Sequence, residues 1–204
     1  MKIGKTDIRT DTFFKKGVKV NNEFFQNILI VGRMGSGKTY FSVLYTLDLL
    51  KKHKFNSIKT NIHSLKIDGE LIEYFDELEE IYNDFDDNCI YIIDELGKRY
   101  TRESRQDNNF YGWLQQSRKC HRFVICIHQT FKLVPPWLRE PFNYVYTTHR
   151  IPFSKFFKTT KGDAENMILD ENKEWTCPVI GTIIYKRTKD ICSHYDTLER
   201  VLKL

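Results

Sequence analysis

Eight consecutive residues, Gly-Arg-Met-Gly-Ser-Gly-Lys-Thr at positions 32–39, match the pattern G-x-x-x-x-G-K-[ST]. The glycines permit backbone conformations that are closed to other residues, so successive N–H groups can point toward an anion. In this pattern Lys38 reaches the β- and γ-phosphates of a nucleotide, and the hydroxyl of Thr39 is a ligand for Mg²⁺. The motif therefore predicts a loop that binds ATP with Mg²⁺. The predicted nucleotide contacts are Gly32, Arg33, Met34, Gly35, Ser36, Gly37, Lys38, Thr39 and Tyr40.

Two carboxylates follow a second apolar segment. Residues 89–93 read Cys-Ile-Tyr-Ile-Ile and are followed directly by Asp94 and Glu95. Continuous apolarity is typical of a strand that is covered on both faces of a parallel sheet, and ligands bind at the carboxyl ends of such strands. We expect Asp94 to hold Mg²⁺ and Glu95 to act as the general base that activates a water molecule. The alternative is a pair of acids that cap a helix after the strand.

A glutamine ends the next apolar segment. Residues 123–127 are Phe-Val-Ile-Cys-Ile, and Gln129 follows two positions later. A polar side chain at the carboxyl edge can contact the γ-phosphate or the attacking water. Gln129 is thus a candidate catalytic residue, although the spacing fits an ordinary loop residue equally well.

These candidates need a scaffold of alternating strands and helices. Apolar runs predict strands at 27–31, 57–62, 89–93, 122–127 and 144–148, and helical periodicity predicts helices at 39–52, 68–85 and 108–119. Such alternation predicts an α/β fold with a mostly parallel central sheet flanked by helices in three layers. After residue 150 the alternation weakens, with a strand expected at 179–186 and a closing helix at 195–202. We interpret residues 1–204 as one domain, with a core at 27–150 and a C-terminal extension at 151–204.

Composition and charge narrow the function. The chain has 204 residues, 41% apolar and 29% charged, a balance typical of a soluble globular protein. The sequence contains no apolar run near the roughly 20 residues of a membrane helix, so we expect no membrane span. The net charge is +5, and residues 98–122 carry seven basic side chains against two acidic ones. Clustered positive charge favours a phosphate-rich partner such as double-stranded DNA, although most charge runs are only solvated surfaces.

The order of these motifs resembles the FtsK/HerA superfamily of P-loop motor ATPases over residues 27–150. The resemblance implies a RecA/ASCE-like fold in which the strand before Gln129 lies between the other two motif strands. It also implies that Gln129 is a sensor of the γ-phosphate. It further implies that Arg118, eleven residues earlier, is an arginine finger that completes a neighbouring subunit's site. Members of the superfamily form homo-oligomeric rings, usually hexamers, with DNA through the centre.

Within that superfamily the compact chain is most similar to the genome-packaging ATPases of archaeal turreted icosahedral viruses. The resemblance implies an ATP-hydrolysing motor that moves double-stranded DNA into a capsid, with a capsid or portal vertex protein as partner. Such a motor would work in the host cytoplasm and at the packaging vertex of the virion. Three alternatives stay open: a virion-assembly ATPase like the Zot proteins of filamentous phages, a P-loop nucleotide or small-molecule kinase, and an ATP-dependent switch with negligible turnover.

Overall fold

In the part of the chain that the structure describes, an eight-stranded sheet forms the centre of the fold. The computed structural model describes residues 25–84, 86–171 and 175–196. The helices are α1 (Lys38–Lys52), α2 (Glu79–Tyr82), α3 (Asn108–Gln115), α4 (Pro136–Arg139) and α5 (Lys189–Cys192). The strands are β1 (Asn27–Val31), β2 (Ser57–Thr60), β3 (Ile72–Tyr74), β4 (Cys89–Ile93), β5 (Arg122–His128), β6 (Tyr144–Arg150), β7 (Phe156–Asp163), β8 (Ile168–Leu169), β9 (Trp175–Thr176) and β10 (Val179–Lys186).

The strand order of the main sheet is β10-β7-β6-β1-β5-β4-β2-β3, and β8 pairs with β9 in a separate ribbon. Strands β6, β1, β5, β4, β2 and β3 are parallel, whereas β7 is antiparallel to both β6 and β10. The predicted α/β class with a mostly parallel sheet is confirmed. The expected position of β5 between β1 and β4 is confirmed as well, so the ends of the three motif strands meet at one edge.

Continuous apolar strands arise here because both faces of the sheet are covered. In β1, Ile28 and Ile30 face the core on the side of α1, and Leu29 and Val31 face the core on the side of α3. Every residue of β1, β4 and β5 is buried. Burial of both alternating sets leaves the interior of each strand to mainly apolar residues and confines the polar residues of β1 and β5 to the strand ends, which is why the functional side chains lie at or after those ends.

Helix boundaries follow local hydrogen bonding. Helix α1 ends in Lys51 and Lys52, whose positive charge is favourable at a helix C-terminus. Helix α3 begins after Asp107, whose carboxylate accepts hydrogen bonds from the backbone N–H groups of Asn109 and Phe110. It ends at Gln115, four residues before the predicted end at 119, because the chain then turns in a series of tight hydrogen bonds into β5.

The helix predicted at 68–85 is wrong. Most of this acidic segment is extended or turn, with the edge strand β3 and the single turn of α2, while residue 85 lies outside the described part. The backbone N–H of Ile58 donates to the carbonyl of Leu71, and β3 then pairs in parallel with β2. Hydrogen bonds to the sheet edge outweigh the helical spacing of apolar residues, and Leu71 is exposed rather than part of a buried face.

Residues after 150 complete the sheet. Strand β10 agrees with the strand predicted at 179–186, and β7 and β10 add two antiparallel strands beside β6. The predicted closing helix at 195–202 lies outside the described residues from 197 onward, and Tyr195 and Asp196 are not helical. Residues 1–24, which precede β1, also lie outside the described part of the chain. Among the described residues, no helix is both long enough and apolar enough to cross a membrane.

Candidate active site

A cleft of about 360 Å³ opens at the carboxyl edge of the parallel strands. One part of its lining is Gly35 and residues 37–40 at the start of α1, together with Asp94 after β4. A second part consists of Phe157, Arg187 and Tyr195, which all belong to the C-terminal extension. We call these two parts the phosphate end and the nucleoside end of the cleft.

The loop at 32–39, here called the phosphate loop, is held by its neighbours on both sides. The backbone N–H of Gly32 donates to the carbonyl of Gln129 at 3.1 Å. A Cβ atom at Gly32 would lie 2.6 Å from the carbonyl oxygen of Thr148, so only glycine fits there. The hydroxyl groups of Ser36 and Thr148 are 2.8 Å apart. Gly37 has a φ of +88°, a conformation that favours glycine and that turns the chain into α1.

Asp94 and Thr39 meet at the phosphate end. The Thr39 hydroxyl donates a 2.8 Å hydrogen bond to Oδ2 of Asp94. Asn61 fixes the backbone of Asp94 through two hydrogen bonds of 2.8 and 2.9 Å. Burial raises the pKa of the Asp94 carboxyl, and the hydrogen bond from Thr39 opposes that rise. A hydroxyl and a carboxylate side by side are hard oxygen ligands of the kind that Mg²⁺ prefers, so these residues fit the predicted ion.

Lys38 provides positive charge beside this oxygen pair. Its ammonium donates to the carbonyl of Arg33 at 3.3 Å. Burial lowers the pKa of Lys38, and the attraction of Asp94 and Glu95 opposes that change. A bound phosphate would offset the desolvation of Lys38, which makes this position favourable for an anion.

Glu95 adopts an unusual backbone conformation. Its φ of 56° lies in the left-handed region, which is uncommon for residues other than glycine and often marks a functional site. The Glu95 side chain is partly exposed, but its Oε2 atom is buried and forms an ion pair with Lys98. Glu95 directly follows the buried Asp94 and is not itself among the residues that line the cleft. Release of the carboxylate from Lys98 would free it to activate a water molecule.

His128 joins the segment after Glu95 to the end of β5. Its buried imidazole contacts the carbonyl of Tyr100 through Nε2 at 3.0 Å and the N–H of Thr130 through Nδ1 at 3.3 Å. Accepting from Thr130 at Nδ1 leaves Nε2 to donate to Tyr100, and burial lowers the pKa of His128, which favours this neutral form. A Cβ at Gly97 would be 3.0 Å from the ring. His128 thereby fixes the loop after Glu95 against the turn that contains Gln129, a role that the sequence analysis missed.

The structure places two predicted catalytic residues away from the cleft. Gln129 is exposed directly after β5, and its backbone carbonyl accepts the hydrogen bond from Gly32 of the phosphate loop. The residue also lines a groove on the other face of the sheet. Arg118 is exposed in the turns after α3, with Nη2 3.9 Å from Oε1 of Glu165. A role for Gln129 as sensor and for Arg118 in a neighbouring site both stay predictions.

Apart from Tyr40, a predicted nucleotide contact, the aromatic wall at the nucleoside end comes from residues to which the sequence analysis gave no role. The rings of Tyr40 and Phe157 stack with centroids 5.9 Å apart, and both stack on Tyr185 at 5.7 Å. The Tyr40 hydroxyl donates to the carbonyl of Lys186 at 3.1 Å and so ties α1 to the end of β10. An aromatic wall with Arg187 beside it can pack against a nucleobase and bind its polar edge or the ribose.

A phosphate loop between a central strand and a helix, an acidic residue at the end of a second strand, and a third strand between them define the RecA-like P-loop NTPase fold. No protein-family model matches the sequence. A sequence search of curated proteins finds no match either.

Solved structures share this fold at low sequence identity. The N-terminal domain of zonular occludens toxin from Neisseria meningitidis superposes with a TM-score of 0.57 at 17% identity, covering 84% of this chain and 100% of that domain. The genome packaging NTPase of Sulfolobus turreted icosahedral virus 2, in complex with ATPγS, has a TM-score of 0.54 at 14% identity, with 78% and 100% covered. A DnaB-like replicative helicase has a TM-score of 0.51 at 14% identity, with 80% and 57% covered.

Proposed function

We propose that this chain binds ATP with Mg²⁺ in the cleft, hydrolyses it, and uses the energy to translocate double-stranded DNA into a viral capsid. One observation supports the hydrolytic part above all others. The Thr39 hydroxyl is 2.8 Å from the buried Asp94 carboxylate, and Glu95 follows Asp94 with a partly exposed side chain. This arrangement offers separate groups for the metal and for the attacking water.

Each residue at the phosphate end has a task in this reaction. The backbone N–H groups of the phosphate loop and the Lys38 ammonium hold the β- and γ-phosphates. Thr39 and Asp94 hold Mg²⁺, which when bound neutralises charge on the phosphoryl oxygens. Glu95 orients a water molecule for in-line attack on the γ-phosphorus and accepts its proton as the bond to the β-phosphate oxygen breaks. ADP and inorganic phosphate are the products.

The DNA-translocating part is supported by charge and by likeness of fold. The chain carries +5 net charge, and a packaging NTPase and a replicative helicase share its fold. We propose a homo-oligomeric ring in which Arg118 of one subunit completes the site of the next, acting with a capsid or portal vertex protein. The ring would act in the host cytoplasm and at the packaging vertex.

The experiment is steady-state ATP hydrolysis by the purified chain, with and without double-stranded DNA, for the wild type and for Glu95→Gln. We expect DNA to raise turnover and the variant to lose it by about 10²-fold or more, because general-base catalysis contributes about 10²–10⁴-fold. Glu103→Gln makes the same chemical change at an exposed loop position and should retain full turnover.

The alternatives give different results in the same assay. An equal rate of ATP hydrolysis with and without DNA would contradict translocation and favour a virion-assembly ATPase. ATP consumption that requires an added phosphoryl acceptor would favour a kinase. Tight ATP binding without turnover in the wild type would favour a switch.

A further inference from the structure

A second concavity lies on the other face of the sheet, beside the phosphate loop. This groove has a volume of about 350 Å³, close to that of the cleft. It lies between the ends of β1, β5 and β6 and the ribbon of β8 and β9. Val31 and Val145 line it and belong to the core on the side of α3, whereas the cleft opens on the side of α1. The groove is therefore separate from the nucleotide site but shares the phosphate loop with it.

The side chains of the groove favour an anion. Arg33, Lys132 and His149 line it, and among the residues that the structure describes no Asp or Glu does. Threonines of the post-β5 turn, β6 and β7 add hydroxyl groups that can donate to phosphate oxygens. Basic side chains combined with Ser or Thr hydroxyls and backbone N–H groups are the donors that commonly bind nucleic-acid phosphates.

The basic surface continues along the sheet beyond the groove. Lys158 on β7 is directly opposite His149 on β6, and residues that are opposite each other in an antiparallel pair share a face. Lys158 is exposed, and its other neighbour on that face is Ile184 of β10. A stripe from Arg33 and Lys132 through His149 to Lys158 suits an extended polyanion better than a single small anion.

The groove is attached firmly to the catalytic machinery. The segment that carries Lys132 is held by Arg139, which donates from Nε to the carbonyl of Val134 at 2.9 Å and from Nη2 to the carbonyl of Lys132 at 3.4 Å. Gly32 and Arg33 line the groove, while Gly35 and residues 37–39 of the same loop line the cleft. Anything bound in the groove therefore touches the loop that holds the nucleotide.

We propose that the groove and the stripe bind the sugar–phosphate backbone of double-stranded DNA. Because the groove shares the phosphate loop with the cleft, the nucleotide state of that loop then controls how tightly the DNA backbone is held. This inference rests on the proposed function, since DNA is the polyanion that such a motor moves. Contacts of this kind are independent of sequence, and every neutralised phosphate adds to the salt dependence of binding.

The test is the salt dependence of binding to a fluorescein-labelled DNA duplex of mixed sequence, measured by fluorescence anisotropy with the full chain. For Lys132→Gln/Lys158→Gln we expect a loss of affinity of about tenfold or more and a slope of log K against log salt that is smaller by about 2. Lys54→Gln removes an exposed charge in the turn after α1 and should bind like the wild type. Hydrolysis without DNA should be unchanged in both variants, while the double variant should lose stimulation by DNA.

Trp175 provides a second measurement. It lines the groove and is half exposed, whereas Trp113 is buried. We expect duplex DNA to change the tryptophan emission of the wild type and Trp175→Phe to abolish that change while retaining affinity.

The outcomes separate the groove from the function. If the double variant binds DNA with the affinity and salt slope of the wild type and keeps the stimulation of hydrolysis by DNA, the proposed role of the groove is overturned. The proposal of a DNA-stimulated ATPase would then still stand. A change only in oligomeric state, seen by sedimentation velocity, would make the groove a protein contact and overturn the proposal. A wild type that binds no duplex would contradict both the groove and the translocating function.

Discussion

The two ends of the cleft are built in different ways. At the phosphate end, residues 35–40 are consecutive in the sequence. Asp94 joins them from the end of β4, which lies two strands from β1 in the same parallel part of the sheet. At the nucleoside end, Phe157 and Arg187 come from the antiparallel part and are more than a hundred residues away from the phosphate loop in sequence. A contiguous motif can be recognised directly, whereas a wall assembled by long-range strand pairing carries no local pattern.

The largest effect should come from Lys38→Ala at the phosphate end. Removing the partly buried ammonium near Asp94 leaves the phosphates without their main positive side chain. We expect hydrolysis to fall by about 10²-fold or more, the range for loss of one preorganised charge-stabilising group. Binding of inorganic tripolyphosphate should weaken with that of ATP, as measured by calorimetry. Lys51→Ala, at the exposed end of the same helix, should change neither, and equal losses in the two variants would contradict the assignment.

Gly37→Ala tests where the two ends touch. A Cβ there would lie 2.7 Å from the Phe157 ring, and the φ of +88° is unfavourable for alanine. Strain of this kind costs about 1–3 kcal/mol, which urea denaturation would measure as a lower free energy of unfolding. Gly112→Ala, in α3 with open space around it, should instead stabilise the fold by roughly 0.5–1 kcal/mol.

A double variant sharpens the same comparison. Phe157→Ala added to Gly37→Ala should recover the steric part of the loss, because the ring is the nearest obstacle, but not the part due to φ. Strictly additive losses in the two single variants would mean that the loop and the aromatic wall are energetically independent.

Arg187→Gln should act on the nucleoside end alone. Its guanidinium lines the cleft beside Tyr195, and one hydrogen bond to a ligand is worth about 1 kcal/mol, or roughly fivefold in affinity. We expect weaker binding of ATP and unchanged binding of tripolyphosphate, both measured by calorimetry. Lys189→Gln, an exposed neighbour, is the control. Equal weakening of both ligands by Arg187→Gln would place this arginine on the phosphates instead.

His128→Asn should give the smallest effect, and it depends on pH. Burial lowers the pKa of His128 below the ordinary value of about 6.5. The unfolded chain therefore binds a proton at His128 more readily than the folded chain does. The contribution of neutral His128 to the free energy of unfolding is complete above about pH 6.5 and is lost as the pH falls below that value. Asparagine can still donate to the Tyr100 carbonyl but does not titrate. Between pH 7 and 5 we expect the variant to lose less stability than the wild type, and an identical slope in urea denaturation would contradict this.

The part of the fold that could be predicted is the part with strong local signals. Strand β1, helix α1, and strands β4 and β10 were expected within one residue of their observed bounds. The acidic segment at 68–85 misled the prediction, because a three-residue edge strand pairs with β2 through hydrogen bonds that side-chain spacing does not encode. His128 was also missed, although a polar residue that ends a buried strand at the carboxyl edge is a signal that could have found it.

The sequence by itself determined the phosphate end and the α/β order of the fold. A glycine-rich loop, a lysine, a hydroxyl and an acidic pair act through short-range geometry that follows from residue types and spacing. Only the tertiary structure decided which residues form the nucleoside end. That end depends on the antiparallel pairing of β7 with β6 and on the packing of Tyr40 against Phe157. Pairing between distant strands is set by the burial of whole faces, which no local segment specifies.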